Sequence, residues 1–259
     1  MRFASLGSGS RGNALVVEAG AGSRVLLDCG FGPRELGRRL ARLGLAAGDI
    51  DAIALTHEHS DHSAGVHAFA RRQEIELFLT QGSLAALSAS DSALAQLPTL
   101  RLIASDRVFN VGELQISAFP VPHDAREPVQ FVFSDGRHRL GVLTDAGVAT
   151  AHMVAMLDGC DALVLECNHD EDMLARGPYP RHLQQRIGGA YGHLANSQAA
   201  ALLSALDRSR LRHLVAAHLS QQNNTADLAR SALAAAGAYS EEWITVASQE
   251  DGFSWLELA

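Results

Sequence analysis

The segment His57-Glu58-His59-Ser60-Asp61-His62 places four side chains of metal-ligand type, His57, His59, Asp61 and His62, within six residues. It directly follows the apolar run Ala52–Thr56, which reads as a buried strand. A strand end followed by a turn lets these side chains converge on one point, as neither a continuous helix nor a continuous strand would. Neutral imidazole and carboxylate are the donors that borderline dications such as Zn2+ or Mn2+ accept, and His59 and His62 can face different ions. The competing reading is a polar loop with surface histidines, but a packed core has no use for such a cluster. Twelve histidines in 259 residues invite a search for further donors.

Short apolar or alternating runs bounded by Gly, Asp or Asn predict strands at Arg2–Leu6, Asn13–Ala19, Arg24–Asp28, Ala52–Thr56 and Glu76–Thr80, the first three as a meander. Helical periodicity covers Pro33–Leu43, with Pro in the first turn, and the stretch after His62 through Arg72. A second set of strands follows at Leu114–Val121, Val129–Asp135 and His138–Asp145, the last two joined by the turn Ser134-Asp135-Gly136-Arg137. Beyond it the pattern predicts helices at Ala149–Leu157, Pro180–Gly188, Asn196–Leu206 and Thr225–Ala236. Strands are expected at Ala162–Cys167, Leu211–Ala217, Trp243–Ala247 and Phe253–Leu258. Strand runs interspersed with helices and repeated in two halves predict an α/β fold, two sheets packed face to face with helices outside.

An apolar content of 47% supports one full core, so residues 1–259 are read as a single domain. No stretch of 18 or more apolar residues occurs and the start, MRFASLGSGS, has no apolar h-region, so a cytosolic protein without membrane contact is expected. Cys29, Cys160 and Cys167 show no C-x-x-C spacing and are expected as free thiols, with Cys29 the best candidate ligand among them. The net charge of −8 argues against a wide nonspecific nucleic-acid surface, although carboxylates gathered around dications account for part of it. The basic face Arg34, Arg38, Arg39, Arg42 is read as a solvated helix surface.

The H-x-H-x-D-H pattern, extended by Gly65, is the signature of the metallo-β-lactamase superfamily, and four further segments resemble its other motifs in order. These are Asp28 in Leu-Leu-Asp-Cys-Gly, His123 in Val-Pro-His-Asp-Ala, Asp145 in Leu-Thr-Asp-Ala-Gly and His218 in Ala-Ala-His-Leu-Ser. The resemblance implies an αββα sandwich of two mixed sheets holding two divalent ions, zinc or manganese. It implies that His57, His59 and His123 bind one ion, Asp61, His62 and His218 the other, and Asp145 both, with Asp28 hydrogen-bonding a ligand. Such a pair of ions lowers the pKa of a water between them and withdraws charge from the scissile group.

An aspartate at position 145, where β-lactamases commonly place a cysteine, points away from the antibiotic-hydrolysing branch. The blocks Leu165-Glu166-Cys167-Asn168-His169-Asp170, Gly192-His193-Leu194-Ala195-Asn196 and His218-Leu219-Ser220 resemble the phosphodiesterase branch that includes the tRNA 3′-processing nucleases. His193 is the nominated general acid for the leaving oxygen, with Glu166 or His169 orienting it, so that Asp61, Asp145, His193, Glu166 and His169 form the candidate catalytic group. The alternative for His193 is a helix-entry histidine, with Asn196 capping the helix after it. The opening Ser5-Leu6-Gly7-Ser8-Gly9-Ser10-Arg11-Gly12-Asn13, together with His218 to Asn224, resembles the YycJ/WalJ-like family, linked to 5′-to-3′ exonuclease activity on DNA.

Ser8, Ser10, Arg11, Asn196 and Ser220 are the candidate substrate contacts, and the backbone amides of the Gly-Ser segment, read as a turn, are candidates to receive phosphate. Arg181 and Arg186 are candidate cations at the mouth, and Tyr179 or Tyr191 candidates to stack one terminal base. The short segment between His123 and Asp145 leaves no room for the flexible arm of the tRNA-processing relatives, nor is there a long insertion before His218. The expected activity is therefore hydrolysis of a DNA end or a compact phosphodiester. The alternatives are a small-molecule hydrolase of a cyclic phosphodiester, thioester or lactone using the same ions, and a noncatalytic metal-binding scaffold.

Overall fold

The three apolar runs at the start of the chain fold as an antiparallel meander, β1 (Arg2–Gly7), β2 (Ala14–Glu18) and β3 (Arg24–Leu27), as their spacing predicts. Three parallel strands extend it, β4 (Ala52–Ala54), β5 (Glu76–Thr80) and β6 (Leu100–Ile103). The second half repeats the plan. β7 (Val108–Val111), β8 (Leu114–Pro120), β9 (Val129–Ser134) and β10 (Arg139–Leu143) are antiparallel, and β11 (Ala162–Glu166), β12 (His213–Ala217) and β13 (Thr245–Val246) follow in parallel. The closing strand β14 (Phe253–Glu257) returns to pair with β1, giving two seven-stranded mixed sheets in this computed structural model, which describes residues 1–258.

Why the central strands read as continuous apolar runs is visible in their alternation. Val25 and Leu27 of β3, Ala52 and Ala54 of β4, and Ala162 and Val164 of β11 point into the layer between the sheets. Their neighbours point outward, Leu26 and Ile53 onto α1 (Pro33–Arg42) and its surroundings, and Leu163 and Leu165 onto the helices of the second half. Each such Leu or Ile, wholly buried, contributes about 1.5–3 kcal/mol, so both faces of these strands hold the sandwich. The remaining helices are α2 (Ser60–Ser63), α3 (Val66–Gln73), α4 (Gln81–Ser88), α5 (Ala151–Leu157), α6 (Glu171–Arg176), α7 (Arg181–Ile187), α8 (Asn196–Ala205) and α9 (Ala226–Gly237). Among the described residues no helix is long and apolar enough to cross a membrane.

Several expectations are corrected. β6 and β7 have no counterpart among the expected strands because they are sheet edges, where exposed positions break the apolar pattern. α4 and α6 were likewise not expected; they are capped by Thr80 and Asp170, whose side chains accept from Ser83 N and Met173 N. The strand expected at Trp243–Ala247 shortens to Thr245–Val246 behind a single helical turn. Asn196 is not the cap of α8: Ala195 holds that position, and the Asn196 side chain instead exchanges hydrogen bonds with Asn224 at 2.9 Å. Nor is the basic face of α1 simply solvated. Arg39 is buried, its guanidinium 4.0 Å from the Phe31 ring centre, and its Nη1 donates to Leu6 O at 2.6 Å and Glu250 O at 2.7 Å.

Candidate metal centre

The chemistry-bearing residues follow the carboxyl ends of strands in both sheets, where the loops of an α/β layer gather. Asp28 follows β3, His57 and His59 follow β4, Asp61 and His62 sit on α2, and His123 follows β8. Asp145, Glu166 and His218 follow or end β10, β11 and β12, and His193 precedes α8. Three of them, Asp28, Asp145 and His218, have left-handed backbones with φ of 60°, 66° and 54°. Such conformations cost non-glycine residues on the order of 1 kcal/mol each, and here they turn the chain sharply so that the side chain enters the site. α2 is held close to the Asp28 turn: a Cβ on Gly30 would fall 1.7 Å from Asp61 O.

Four clusters of donor atoms result, each with its atoms within 4.8 Å of one another: His57, His59 and His123; Asp61, His62 and His218; His57, His62 and Asp145; and Asp145, Glu166, His193 and His218. Asp145 Oδ2 lies 2.9 Å from His62 Nε2, and its Oδ1 lies 3.9 Å from His123 Nε2 and 3.4 Å from His218 Nδ1, so one carboxylate stands between the two main triads. His57 Nε2 and His123 Nε2 converge on His59 Nδ1 at 3.0 and 3.2 Å.

The opposite nitrogens are engaged elsewhere. His62 Nδ1 faces Asp28 Oδ2 at 2.7 Å, His57 Nδ1 faces Thr56 Oγ1 at 3.0 Å, His123 Nδ1 faces Gly192 O at 2.9 Å, and His218 Nδ1 faces Glu166 Oε1 at 3.2 Å. With the proton on Nδ1 in each, the Nε2 lone pair points inward, the arrangement by which outer partners orient metal-binding histidines. Asp145 Oδ2 and His218 Nε2 are buried without a hydrogen-bond partner, which in a protein interior marks a missing counterpart. Imidazole and carboxylate donors, oriented and unpaired in this way, fit divalent cations.

Glu166 is the hub on the far side. It is fully buried, its Oε2 accepts from Ala146 N at 2.9 Å and Leu194 N at 3.1 Å, and its Oε1 takes His193 Nδ1 at 2.8 Å as well as His218. Burial favours the neutral acid, but the His193 charge and the hydrogen bonds from both imidazoles outweigh it and hold the carboxyl down to about 2. Burial likewise opposes charge on His193, yet Glu166 and Asp145, the latter 3.2 Å away, raise it to about 10. At His57 burial dominates and, with the neighbouring imidazoles, keeps the ring neutral.

The clusters open into a cavity of about 320 Å3 whose lining includes Ser10, Asn168, Tyr179, Arg186, His193 and Ser220. Ser8 is buried and not part of that lining, and its Oγ accepts from His218 N at 2.9 Å. Four of the Gly-Ser amides are already used: Ser8 N donates to Ser248 O, Gly9 N to Asn13 Oδ1, Arg11 N to Gln249 Oε1 and Gly12 N to Gly9 O, which leaves those four none for phosphate. Arg11 pairs with Glu250, Asn196 lies off the cavity lining, and Arg181 and Tyr191 are exposed outside it. His169 is buried with Nδ1 unpartnered and belongs to none of the donor clusters. All three cysteines are free and buried, and Cys29, whose thiol burial pushes up, lies outside the clusters.

Two residues that sequence reasoning did not single out stand at the centre. Asn13 Nδ2 is 3.2 Å from Asp61 Oδ2 and 3.0 Å from His62 Nε2, a contact across 49 positions that no local pattern announces. Asp124 sits 3.8 Å from His59 Nε2 and 3.6 Å from His123 Nε2, and its place directly after His123 was the available signal.

Residues 23–218 match the family model described as a beta-lactamase superfamily domain. The chain is 31% identical over 232 residues to exodeoxyribonuclease YycJ of Bacillus anthracis, covering 89% of this chain and 86% of that protein. It is 30% identical to exodeoxyribonuclease WalJ of Streptococcus pneumoniae serotype 2, over 88% of this chain and 85% of the relative. Zn2+-bound PqqB from Methylobacterium extorquens superposes with a TM-score of 0.75 at 22% identity, covering 100% of both chains.

Proposed function

From a chain that belongs to the metallo-β-lactamase superfamily, and within it to the YycJ/WalJ-like group, we propose a metal-dependent phosphodiesterase of the nuclease type, degrading DNA from a 5′ end. The observation that carries this reading is the Asp145 carboxylate between two His/Asp triads with His193 beside it. The two exodeoxyribonuclease relatives support DNA as the substrate. His57, His59 and His123 would hold one zinc or manganese ion, Asp61, His62 and His218 would hold a second, and Asp145 would serve both. Ions so bound supply Lewis acidity, which draws charge from the phosphoryl group and eases deprotonation of water.

The chain's own residues account for the rest. Hydrolysis breaks a P–O ester bond, and the departing oxygen gains from a positioned proton donor. His193 keeps its Nδ1 proton on Glu166 at 2.8 Å, which leaves the Nε2 proton to be given to that oxygen from the cavity wall. Glu166 thereby fixes the ring and stabilises its charge. Asn168 Nδ2 donates to His218 O at 3.0 Å and steadies the turn that aims His218 inward. Ser10 and Ser220 remain as hydroxyls on the wall for substrate oxygens.

The test compares bis-p-nitrophenyl phosphate, a thioester, a lactone and 5′-labelled single- and double-stranded DNA under identical zinc or manganese loading. Turnover of the phosphate diester and shortening of DNA from its 5′ end are expected. Preference for the thioester or the lactone would overturn the proposal.

A further inference from the structure

Arg186 is the one arginine or lysine among the described residues that line the cavity, where the other charged groups are Asp61, Asp124, Asp145 and imidazoles. Its Nε donates to Asp124 Oδ2 at 2.5 Å, while the side chain is 60% exposed and neither Nη1 nor Nη2 has a partner among the described residues. A guanidinium presents five N–H donors in a planar fork. One edge is therefore committed and the other is open, which gives an aimed cation rather than a free one.

Asp124 also fixes where that cation stands. Its other oxygen, Oδ1, faces His59 and His123, so the aspartate lies between the guanidinium and the first histidine triad. A phosphoryl group held at the triads is thus separated from Arg186 by one side chain, and the open edge addresses something further along the substrate. The mounting is rigid. Arg186 is the penultimate residue of α7, directly before Ile187, whose carbonyl accepts from His193 N at 2.8 Å, and Gly192 O accepts from His123 Nδ1 at 2.9 Å. A Cβ at Gly192 would fall 2.2 Å from Arg186 O, so the chain folds back on the Arg186 backbone because that residue is glycine. The same short segment therefore sets the cation, the candidate acid and a candidate ligand in one frame.

We propose that Arg186 binds a second phosphate of the substrate, next in the strand to the one hydrolysed, and so selects substrates with two phosphates in tandem over an isolated diester. This rests on the phosphodiesterase reading above. Planar guanidinium matches two phosphate oxygens at once, which a point charge does not. The second phosphate has two sources, a terminal 5′-monoester or the next diester of a continuing strand, and the substrates below separate them.

The metal-loaded full chain, Arg186→Ala and Arg186→Lys are assayed on bis-p-nitrophenyl phosphate, on a dinucleotide with a single diester, on the same dinucleotide bearing a 5′-phosphate, and on a trinucleotide without one. Arg186→Ala is expected to lose roughly 10- to 100-fold in kcat/KM, mostly through KM, on the 5′-phosphorylated dinucleotide if the monoester is read, or on the trinucleotide if the diester is. The two single-phosphate substrates should change by less than about 3-fold, and Arg186→Lys should recover part of the loss. Binding gives a second readout: by calorimetry the parent chain should hold a deoxynucleoside 3′,5′-bisphosphate tighter than its 5′-monophosphate, and Arg186→Ala should erase the difference with an unchanged melting temperature. Equal loss on all four substrates, or none on either two-phosphate substrate, overturns the assignment. Failure of the parent chain to cleave bis-p-nitrophenyl phosphate would instead remove the phosphodiesterase reading beneath it.

Discussion

Glu166→Gln keeps the volume of a fully buried side chain and removes its charge. The carboxylate accepts four hydrogen bonds, two from the amides of Ala146 and Leu194 on Oε2 and two from His193 Nδ1 and His218 Nδ1 on Oε1. A glutamine oxygen in the Oε2 position keeps the amides and turns the NH2 toward two imidazole N–H groups. Donor then meets donor, so His218 must give up its Nδ1 proton and carry one on Nε2, the nitrogen 3.5 Å from Asp61 Oδ2. A protonated Nε2 does not ligate. Loss of the partner that orients a ligand histidine weakens metal binding by roughly 10- to 100-fold, which is about 1.4 to 2.7 kcal/mol. Titration calorimetry with zinc or manganese should show one binding step weakened by that factor and the other little changed. Turnover of bis-p-nitrophenyl phosphate should fall further than occupancy alone explains, because His193 loses its Glu166 partner in the same substitution. Glu166→Asp, which keeps charge but not reach, should fall between. Unchanged affinity in both steps together with full turnover in Glu166→Gln would refute the reasoning.

Four other outcomes are expected. Asp61→Ala and His62→Ala should each abolish activity and remove one metal equivalent by elemental analysis, and unchanged turnover would sink the ligand assignment. Arg39→Met should lower stability by roughly 1–3 kcal/mol in urea unfolding, because the Gln249 carbonyl loses its donor and the Leu6 carbonyl keeps only Arg42 Nη2; a change under about 0.5 kcal/mol would show that water replaces it. Hydrogen bonds from Arg38 and Arg39 hold the Glu35 carboxyl down to about 2 from its ordinary 4.5, so its contribution is complete above 4.5 and fades as pH falls toward 2. Glu35→Gln should therefore narrow the drop in urea midpoint between about pH 5 and about pH 3, and an unaltered drop counts against the pairing. Asn196→Ala should cost roughly 1–3 kcal/mol by removing both hydrogen bonds exchanged with Asn224, which keeps Cys167 O and Thr225 N, while leaving KM for DNA unchanged; a raised KM would restore Asn196 as a substrate contact.

Periodicity was a sound guide wherever both faces of a strand are covered, as in Arg24–Leu27 and Ala162–Glu166, because burial demands apolar residues at every position. It missed Leu100–Ile103 and Val108–Val111, where an open edge relaxes that demand. The His57 to His62 segment was legible for a similar reason: strand, turn and donors fall within a few residues, and no other structure has a use for that spacing. Asp28, Asp145 and His218 were found through their motifs, but their left-handed turns were not, since φ is set by where the side chain must reach.

The sequence by itself determined the two-sheet plan, the donor inventory and the kind of ion those donors accept, all of which depend on residue type and short spacing. Tertiary structure alone decided how the donors are held and what surrounds them. It placed Asn13 on His62, spent four of the Gly-Ser amides on Gln249, Ser248, Asn13 and Gly9, buried Arg39 against the loop that carries Gln249, and stood Asp124 between Arg186 and the histidines. Most of these are pairings between segments remote in the chain, and such a pairing exists only once the two sheets and their loops have packed, because hydrogen-bond geometry is met within tenths of an ångström and no local propensity specifies the partner.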